Sequence, residues 1–254
     1  MIKTIKYKKV FFVDMQDGSR EAASRIIPQV LDIVSPRSVV DVGCGTGEFA
    51  AAFSERGIKD ILGIDGEYVK GELLAISQEQ FLPIDLNQPF ELGRTYDLAV
   101  CLEVGEHLNP ESASGFIASL TRLAPLVLFS AAIPHQVGIH HVNEQWPQYW
   151  AELFQLYGYV AVDALRHAIW SDRAIPVWYR QNILFFCKPE VLETNEKLAL
   201  AYQATHLDAL SLVHPDLYLL SNTSTLRVLR RIKASVLQPW RQLQKFLGNL
   251  KKDA

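Results

Sequence analysis

The stretch "VVDVGCGTGEF" (39–49) constrains this chain more than any other part of it. A β-branched run ends around Asp41, glycines follow at the alternate positions Gly43, Gly45 and Gly47, and a helical pattern starts at once. Glycine allows a tight turn with the backbone close to a ligand. The helix start behind it offers free N–H groups to negative charge. A strand that turns straight into a helix is the unit from which parallel sheets covered on both faces are built.

The rest of the chain repeats that alternation. Apolar residues at Ile26, Ile27, Val30, Leu31 and Val34 predict a helix over 17–34, with Asp17 or Ser19 as its cap. The segments "SVVDVG", "DILGID", "FLPIDL", "YDLAVCL", "PLVLFSAA", "VAVDAL" and "NILFFCK" read as strands. Helices are predicted between them in "TGEFAAAFSERG", "PESASGFIASLTRLA" and "NEQWPQYWAELFQLYGY", the first and last ending at Gly57 and Gly158. An aromatic connection over 166–181 precedes the last strand, and after Pro189 the pattern is helical only. The expected organisation is a domain over 1–189 and a helical extension over 190–254.

A second acid, Asp65 in "GIDG", ends the second strand, where adenosine-cofactor folds accept the ribose hydroxyls. With its GxGxG spacing in place of GxGxxG, the sequence over residues 17 to 188 resembles the class I S-adenosylmethionine-dependent methyltransferases. The resemblance implies a Rossmann-like seven-stranded, mostly parallel sheet with an antiparallel last strand, for which "NILFFCK" is the candidate. It implies that Asp41, Gly43, Gly45 and Gly47 bind the methionine end of S-adenosylmethionine and that Asp65 binds its ribose. Asp85 in "PIDL" would meet the adenine amino group, with Leu86 beside the ring.

The fourth strand runs into "CLEVGEHL" (101–108), at the carboxyl end of the sheet where the cofactor lies. Glu103 is a candidate cofactor-binding and catalytic residue there. Glu103, Glu106 and His107 form an E-x-x-E-H set whose oxygens and imidazole suit Mg²⁺ or another divalent ion. The same pattern resembles the metal sites of ubiquinone-type O-methyltransferases and small-RNA 2′-hydroxyl methyltransferases. It also resembles metal-free enzymes in which it forms a cofactor wall. Downstream, "PHQVGIHHVNEQW" supplies His135, His140 and His141. Either His140 or His141 is a candidate general base, since a hydroxyl acceptor must lose a proton during transfer. The alternative is a pair that caps a helix starting near Asn143. Trp146, Tyr149, Trp150, Trp170, Trp178 and Tyr179 offer an aromatic rim, and Arg173 and Arg180 either meet an acidic acceptor or tie the loop to the sheet.

Charge is unevenly spread. From Thr225 onward the chain holds eight basic residues and one acid, a balance of +7, so the overall −3 leaves −10 for the preceding part. Leu229, Ile232, Val236, Trp240, Leu243, Leu247 and Leu250 recur at helical spacing, interrupted by Pro239. Residues 225–252 are therefore a candidate for peripheral membrane or protein contact. One short basic helix beside an acidic domain makes nucleic acid an unfavoured partner. Three cysteines without CxxC spacing, and no apolar run of the roughly 18 residues needed to span a bilayer, predict a cytoplasmic chain, peripheral to the membrane if the tail binds lipid. The apolar run near the N-terminus is too short for a signal peptide.

The function these features predict is methyl transfer from S-adenosylmethionine to an acceptor, first of all a hydroxyl of a sugar, glycan or small molecule. The "HHVNEQWPQYW" and "VWYRQN" segments resemble methyltransferases of bacterial glycan and natural-product pathways. A metal-dependent RNA 2′-O-methyltransferase and a non-catalytic binding protein on the same fold are the alternatives.

Overall fold

The computed structural model describes residues 9–136 and 138–222, with side chains from residue 18 to 220. The basic segment 225–252 lies outside the described residues, as does most of the helical extension's second half. Residues up to Leu212 form one compact unit, and Val213 opens a second. The first unit includes the segment 190–212. Helices α7 (Pro189–Thr194) and α8 (Glu196–Ala204) belong to it, with Leu198 fully buried. In the second unit the described helix is α9 (Pro215–Asn222). Among the described residues no helix is long and apolar enough to cross a membrane.

Seven strands make one sheet: β1 (Ser38–Val42), β2 (Asp60–Asp65), β3 (Phe81–Pro83), β4 (Leu98–Leu102), β5 (Leu126–Ser130), β6 (Val160–Val162) and β7 (Leu184–Cys187). Their order is β3-β2-β1-β4-β5-β7-β6. β7 is antiparallel to both β5 and β6, and the other pairings are parallel. This is the sheet that the methyltransferase resemblance implies, with "NILFFCK" as the reversed strand. The order of strand addition reverses between the parallel neighbours β1 and β4, so a crevice opens there at the carboxyl ends of the strands.

Strand residues alternate between two apolar layers, as a sheet covered on both faces requires. Val39, Leu98, Val100, Leu126, Leu128 and Phe185 face α1 (Lys9–Ile33) and α2 (Glu48–Glu55). Val40, Val42, Ala99, Cys101, Val127 and Phe129 face α3 (Ala113–Leu123) and α4 (Pro147–Gln155). Phe154 and Phe186 stack at 4.1 Å in the second layer. The three cysteines are free, Cys101 and Cys187 buried among the strands.

Two helix starts differ from the sequence reading. α1 begins at Lys9, so Asp17 and Ser19 lie within the helix and do not cap it. α4 begins at Pro147 behind Trp146 because Val142 and Asn143 give their N–H groups to the carbonyl of Glu106, at 2.9 and 3.0 Å. The histidine pair therefore caps no helix. Between β6 and β7 in the chain, α5 (Arg166–Ile169) and α6 (Val177–Asn182) fill what reads as an aromatic loop.

The β1–α2 turn carries the sharpest steric demand. Gly43, Gly45 and Gly47 all have positive φ, at 76°, 54° and 86°. A Cβ on Gly43 would lie 2.3 Å from Val104 Cγ2. Gly43→Ala is expected to lower stability by about 1–3 kcal/mol through backbone strain plus this overlap. Adding Val104→Ala should restore the steric share and leave the backbone share. A double-mutant cycle by urea unfolding checks this, and purely additive losses would show that the two sites do not touch.

Candidate active site

A cavity of about 470 Å³ opens at the carboxyl ends of β1, β2 and β4. Gly43, Gly45, Asp65, Asp85, Leu86 and Glu103 line it, as do Glu106, His107 and His141. One wall is therefore built by the turns that follow the strands, as expected for the ligand crevice of an open parallel sheet.

The glycine turn is clasped by the end of β2. Gly43 and Cys44 donate their N–H groups to the carbonyl of Ile64, at 2.8 and 3.1 Å. Gly45 donates to Asp65 Oδ2 at 2.7 Å. A Cβ on Gly45 would meet nothing within 4 Å, so the backbone there borders open space that a ligand can approach. Asp65 Oδ1 accepts from Gly66 N–H at 2.6 Å and from the Tyr68 hydroxyl. Burial raises the Asp65 pKa, and the bonds from Tyr68, Gly45 and Gly66 oppose the rise. Asp85 is exposed and accepts from Asn87 N–H at 3.0 Å, while Leu86 is buried beside it.

Asp41 and Gly47 are not on the cavity wall. Asp41 turns under the loop and accepts from Ala50 N–H, in the first turn of α2, at 3.2 Å. Gly47 backs onto Ile76, and its carbonyl accepts from Ala51 N–H at 2.8 Å to start α2. Both hold the turn in shape from below.

At the exit of β4, Glu103 has a φ of 56°, an unusual conformation for a residue with a side chain. Its N–H is pinned to the Ser130 carbonyl at 2.9 Å. Its carboxylate accepts from Gln136 Nε2 at 3.0 Å and from Asn182 Nδ2 at 3.1 Å. Asn182 also donates to Gln136 Oε1 at 2.9 Å, closing a buried amide–carboxylate triangle. Gln136 and Asn182 are absent from the sequence reading. Their one local signal is an amide beside a buried strand, in "PHQ" and "RQN".

This triangle regroups the expected metal trio. Glu103 is committed to the amides, and among the described residues the donors that come within 4.8 Å of one another are Glu106, His107 and His141. The backbone bonds from Val142 and Asn143 to Glu106 bring His141 there. The rings of His107 and His141 meet edge to face at 4.9 Å. His141 Nδ1 lies 3.0 Å from Glu144 Oε1, and Nε2 lies 3.9 Å from Glu106 Oε1. His140, with a φ of 61°, is exposed and off the cavity wall, and its backbone is hydrogen-bonded to His107.

Glu106 is fully buried, and neither carboxylate oxygen has a hydrogen-bond partner in good geometry. Burial raises its pKa well above the carboxylate range, and the neighbouring Glu103 adds to the rise. Glu103 is raised too, by burial, against the lowering effect of Asn182, Ser130 and Gln136. The His107 pKa is lowered to about 4, first by lost hydration and then by His141, which keeps its imidazole neutral at neutral pH.

Of the aromatic candidates, Trp178 and Tyr179 line the cavity. Trp150 is core, 5.2 Å from the Phe129 ring. Arg180 is buried and donates to the carbonyls of Ile175 and Trp170, at 2.9 and 2.8 Å, so it ties the loop to the fold.

A family profile described as a methyltransferase domain matches residues 15–175. The chain belongs to that family, the class I S-adenosylmethionine-dependent methyltransferases. Among curated proteins, this methyltransferase is 31% identical over 109 residues to a magnesium-protoporphyrin O-methyltransferase of Synechocystis, covering 40% of this chain and 46% of that protein. It is 34% identical over 98 residues to a ubiquinone biosynthesis O-methyltransferase of Acinetobacter baylyi, covering 35% and 40%. The chain thus spans less than half the length of these relatives. A solved O-methyltransferase family protein from Burkholderia thailandensis shares the fold, with a TM-score of 0.51, 13% identity, and 70% and 57% of the two chains covered.

The buried acids of this methyltransferase make its stability depend on pH. Burial raises the Asp41 pKa from 3.8 to about 7, against the Ala50 bond that lowers it. The native protein then binds a proton that the unfolded chain has released, so this contribution is full below about pH 4 and lost as pH rises to about 7. Asp41→Asn keeps an oxygen for Ala50 and removes the titration. Urea unfolding between pH 4 and 8 should show a shallower fall than in the wild type, by up to about 4 kcal/mol. Parallel curves would locate the proton elsewhere.

Proposed function

We propose that this methyltransferase binds S-adenosylmethionine in the cavity and transfers its methyl group to a hydroxyl of a small-molecule acceptor. In this reading the turn at Gly43 and Gly45 takes the methionine end, with Asp41 and Gly47 shaping it. Asp65 accepts the ribose hydroxyls, Asp85 and Leu86 flank the adenine, and Glu103 lies beside the reacting centre. The open space over Gly45 beside the buried Asp65 carboxylate supports the fit. When bound, the cofactor supplies a methyl group already activated on a sulfonium.

The observation that carries the choice of a hydroxyl is His141. It stands on the cavity wall with Nδ1 against the Glu144 carboxylate, which accepts its N–H and leaves Nε2 facing Glu106. An imidazole oriented in this way can take the acceptor's proton as the methyl group moves. His140 faces solvent and has no part in that step. Trp178, exposed at the cavity, offers a stacking face to a sugar or a phenol. The two curated relatives are named as O-methyltransferases, which agrees with transfer to oxygen.

A second reading rests on Glu106. A buried carboxylate without good donors, beside two imidazoles, suits a divalent ion such as Mg²⁺ held by Glu106, His107 and His141. Such an ion would lower the pKa of the acceptor hydroxyl. His141 Nε2 cannot serve both as ligand and as base.

Calorimetry comes first: no heat of binding at millimolar S-adenosylmethionine would end the enzyme reading and leave a binding protein. Release of S-adenosylhomocysteine is then followed over a panel of sugars and phenols. His141→Ala should lower turnover by about 10²–10⁴-fold with cofactor affinity unchanged. Thermal unfolding with Mg²⁺ or Mn²⁺ separates the two readings. A midpoint raised by millimolar ion in the wild type and not in Glu106→Gln supports the metal, and an unmoved midpoint with EDTA-insensitive turnover supports the base.

A further inference from the structure

The Tyr68 hydroxyl touches Asp65, the residue to which the proposed function gives the ribose. An ionised carboxylate offers about four acceptor positions. On Asp65, Oδ2 takes Gly45 N–H at 2.7 Å, while Oδ1 takes Gly66 N–H at 2.6 Å and the Tyr68 hydroxyl. A ribose needs two positions, one for each hydroxyl, and three are in use. The two N–H donors are fixed in the backbone of the glycine turn and of the β2 exit. Tyr68 is a side chain on the cavity wall and is 48% exposed, so it can move without opening the core.

The neighbouring residue permits this arrangement. Gly66 lets the Tyr68 ring lie directly against the backbone, since a Cβ there would come within 2.2 Å of Tyr68 Cε1. The ring thus reaches Asp65 from three residues away.

We propose that Tyr68 is a displaceable occupant of the nucleoside subsite, its hydroxyl holding on Asp65 the position that a ribose hydroxyl takes when the cofactor binds. Cofactor affinity is then an exchange of one hydrogen bond to a buried carboxylate for another, and is weaker than the site's contacts alone would give. This rests on the reading of Asp65 as the ribose acceptor.

The test is calorimetry of S-adenosylhomocysteine and its 2′-deoxy and 3′-deoxy forms with the wild type and Tyr68→Phe. Phenylalanine keeps the ring and removes the competing hydroxyl. S-adenosylhomocysteine should bind Tyr68→Phe about three- to tenfold more tightly than the wild type. For the deoxy ligand that lacks the competing hydroxyl, this gain should vanish. An unchanged or weakened affinity of Tyr68→Phe for S-adenosylhomocysteine, with the deoxy forms still binding more weakly than the parent, overturns the proposal and keeps Asp65 as the ribose acceptor. Equal binding of all three ligands by Tyr68→Phe overturns the Asp65 reading itself. Circular dichroism confirms that the half-exposed substitution leaves the fold intact.

Discussion

The clasp between the end of β2 and the glycine turn is the contact on which the site depends. The Ile64 carbonyl and the Asp65 carboxylate together hold three successive N–H groups, of Gly43, Cys44 and Gly45. Each of these would otherwise point into a crevice with no partner, at a cost comparable to a lost hydrogen bond. Asp41 fastens the same turn from below through Ala50. Three acids and glycines that look like parallel cofactor contacts in the sequence therefore have divided work. Some face the cavity, and others keep the backbone in a left-handed path that glycine alone adopts cheaply.

A second strained point lies at the exit of β4. Glu103 has a left-handed backbone conformation, a state that costs on the order of 1–3 kcal/mol and persists only where the surroundings enforce it. Ser130 holds its N–H, and Gln136 and Asn182 hold its carboxylate. Gln136 comes from the loop after β5 and Asn182 from the end of α6, so one side chain joins two segments to the exit of β4. The buried charge is supported by two amides, which lets it remain in a place where an isolated carboxylate would be prohibitive.

The sheet was legible because its strands are short apolar runs buried on both faces, and the antiparallel last strand followed from the family resemblance. The start of α4 was not, because Val142 and Asn143 spend their N–H groups on Glu106, a contact 36 residues away or more that no local pattern contains. The same contact decides which histidine reaches the cavity. "HH" at 140–141 is symmetric in sequence, but only one of the two follows the backbone that is pinned to Glu106. The E-x-x-E-H spacing likewise placed three donors near one another without showing that Glu103 would be taken by amides. Trp150 and Trp178 are alike in composition terms, yet one fills the core against Phe129 and the other stands on the wall.

What remains is the balance of charge between Glu103 and Glu106. The first has its donors, and the second is buried deeper with none in good geometry. Two carboxylates this close do not both ionise without a compensating cation or donor, so the poorly served one carries the higher pKa. Burial and His141 keep His107 neutral, so it cannot supply the missing positive charge. Whatever completes this corner must therefore be either a proton on Glu106 or a cation shared with the two imidazoles. In the first case Glu106 is a neutral carboxyl beside Glu103, and in the second it is a ligand. His141 Nε2 would be left to take a proton in the first case, and in the second it would be one of the ligands.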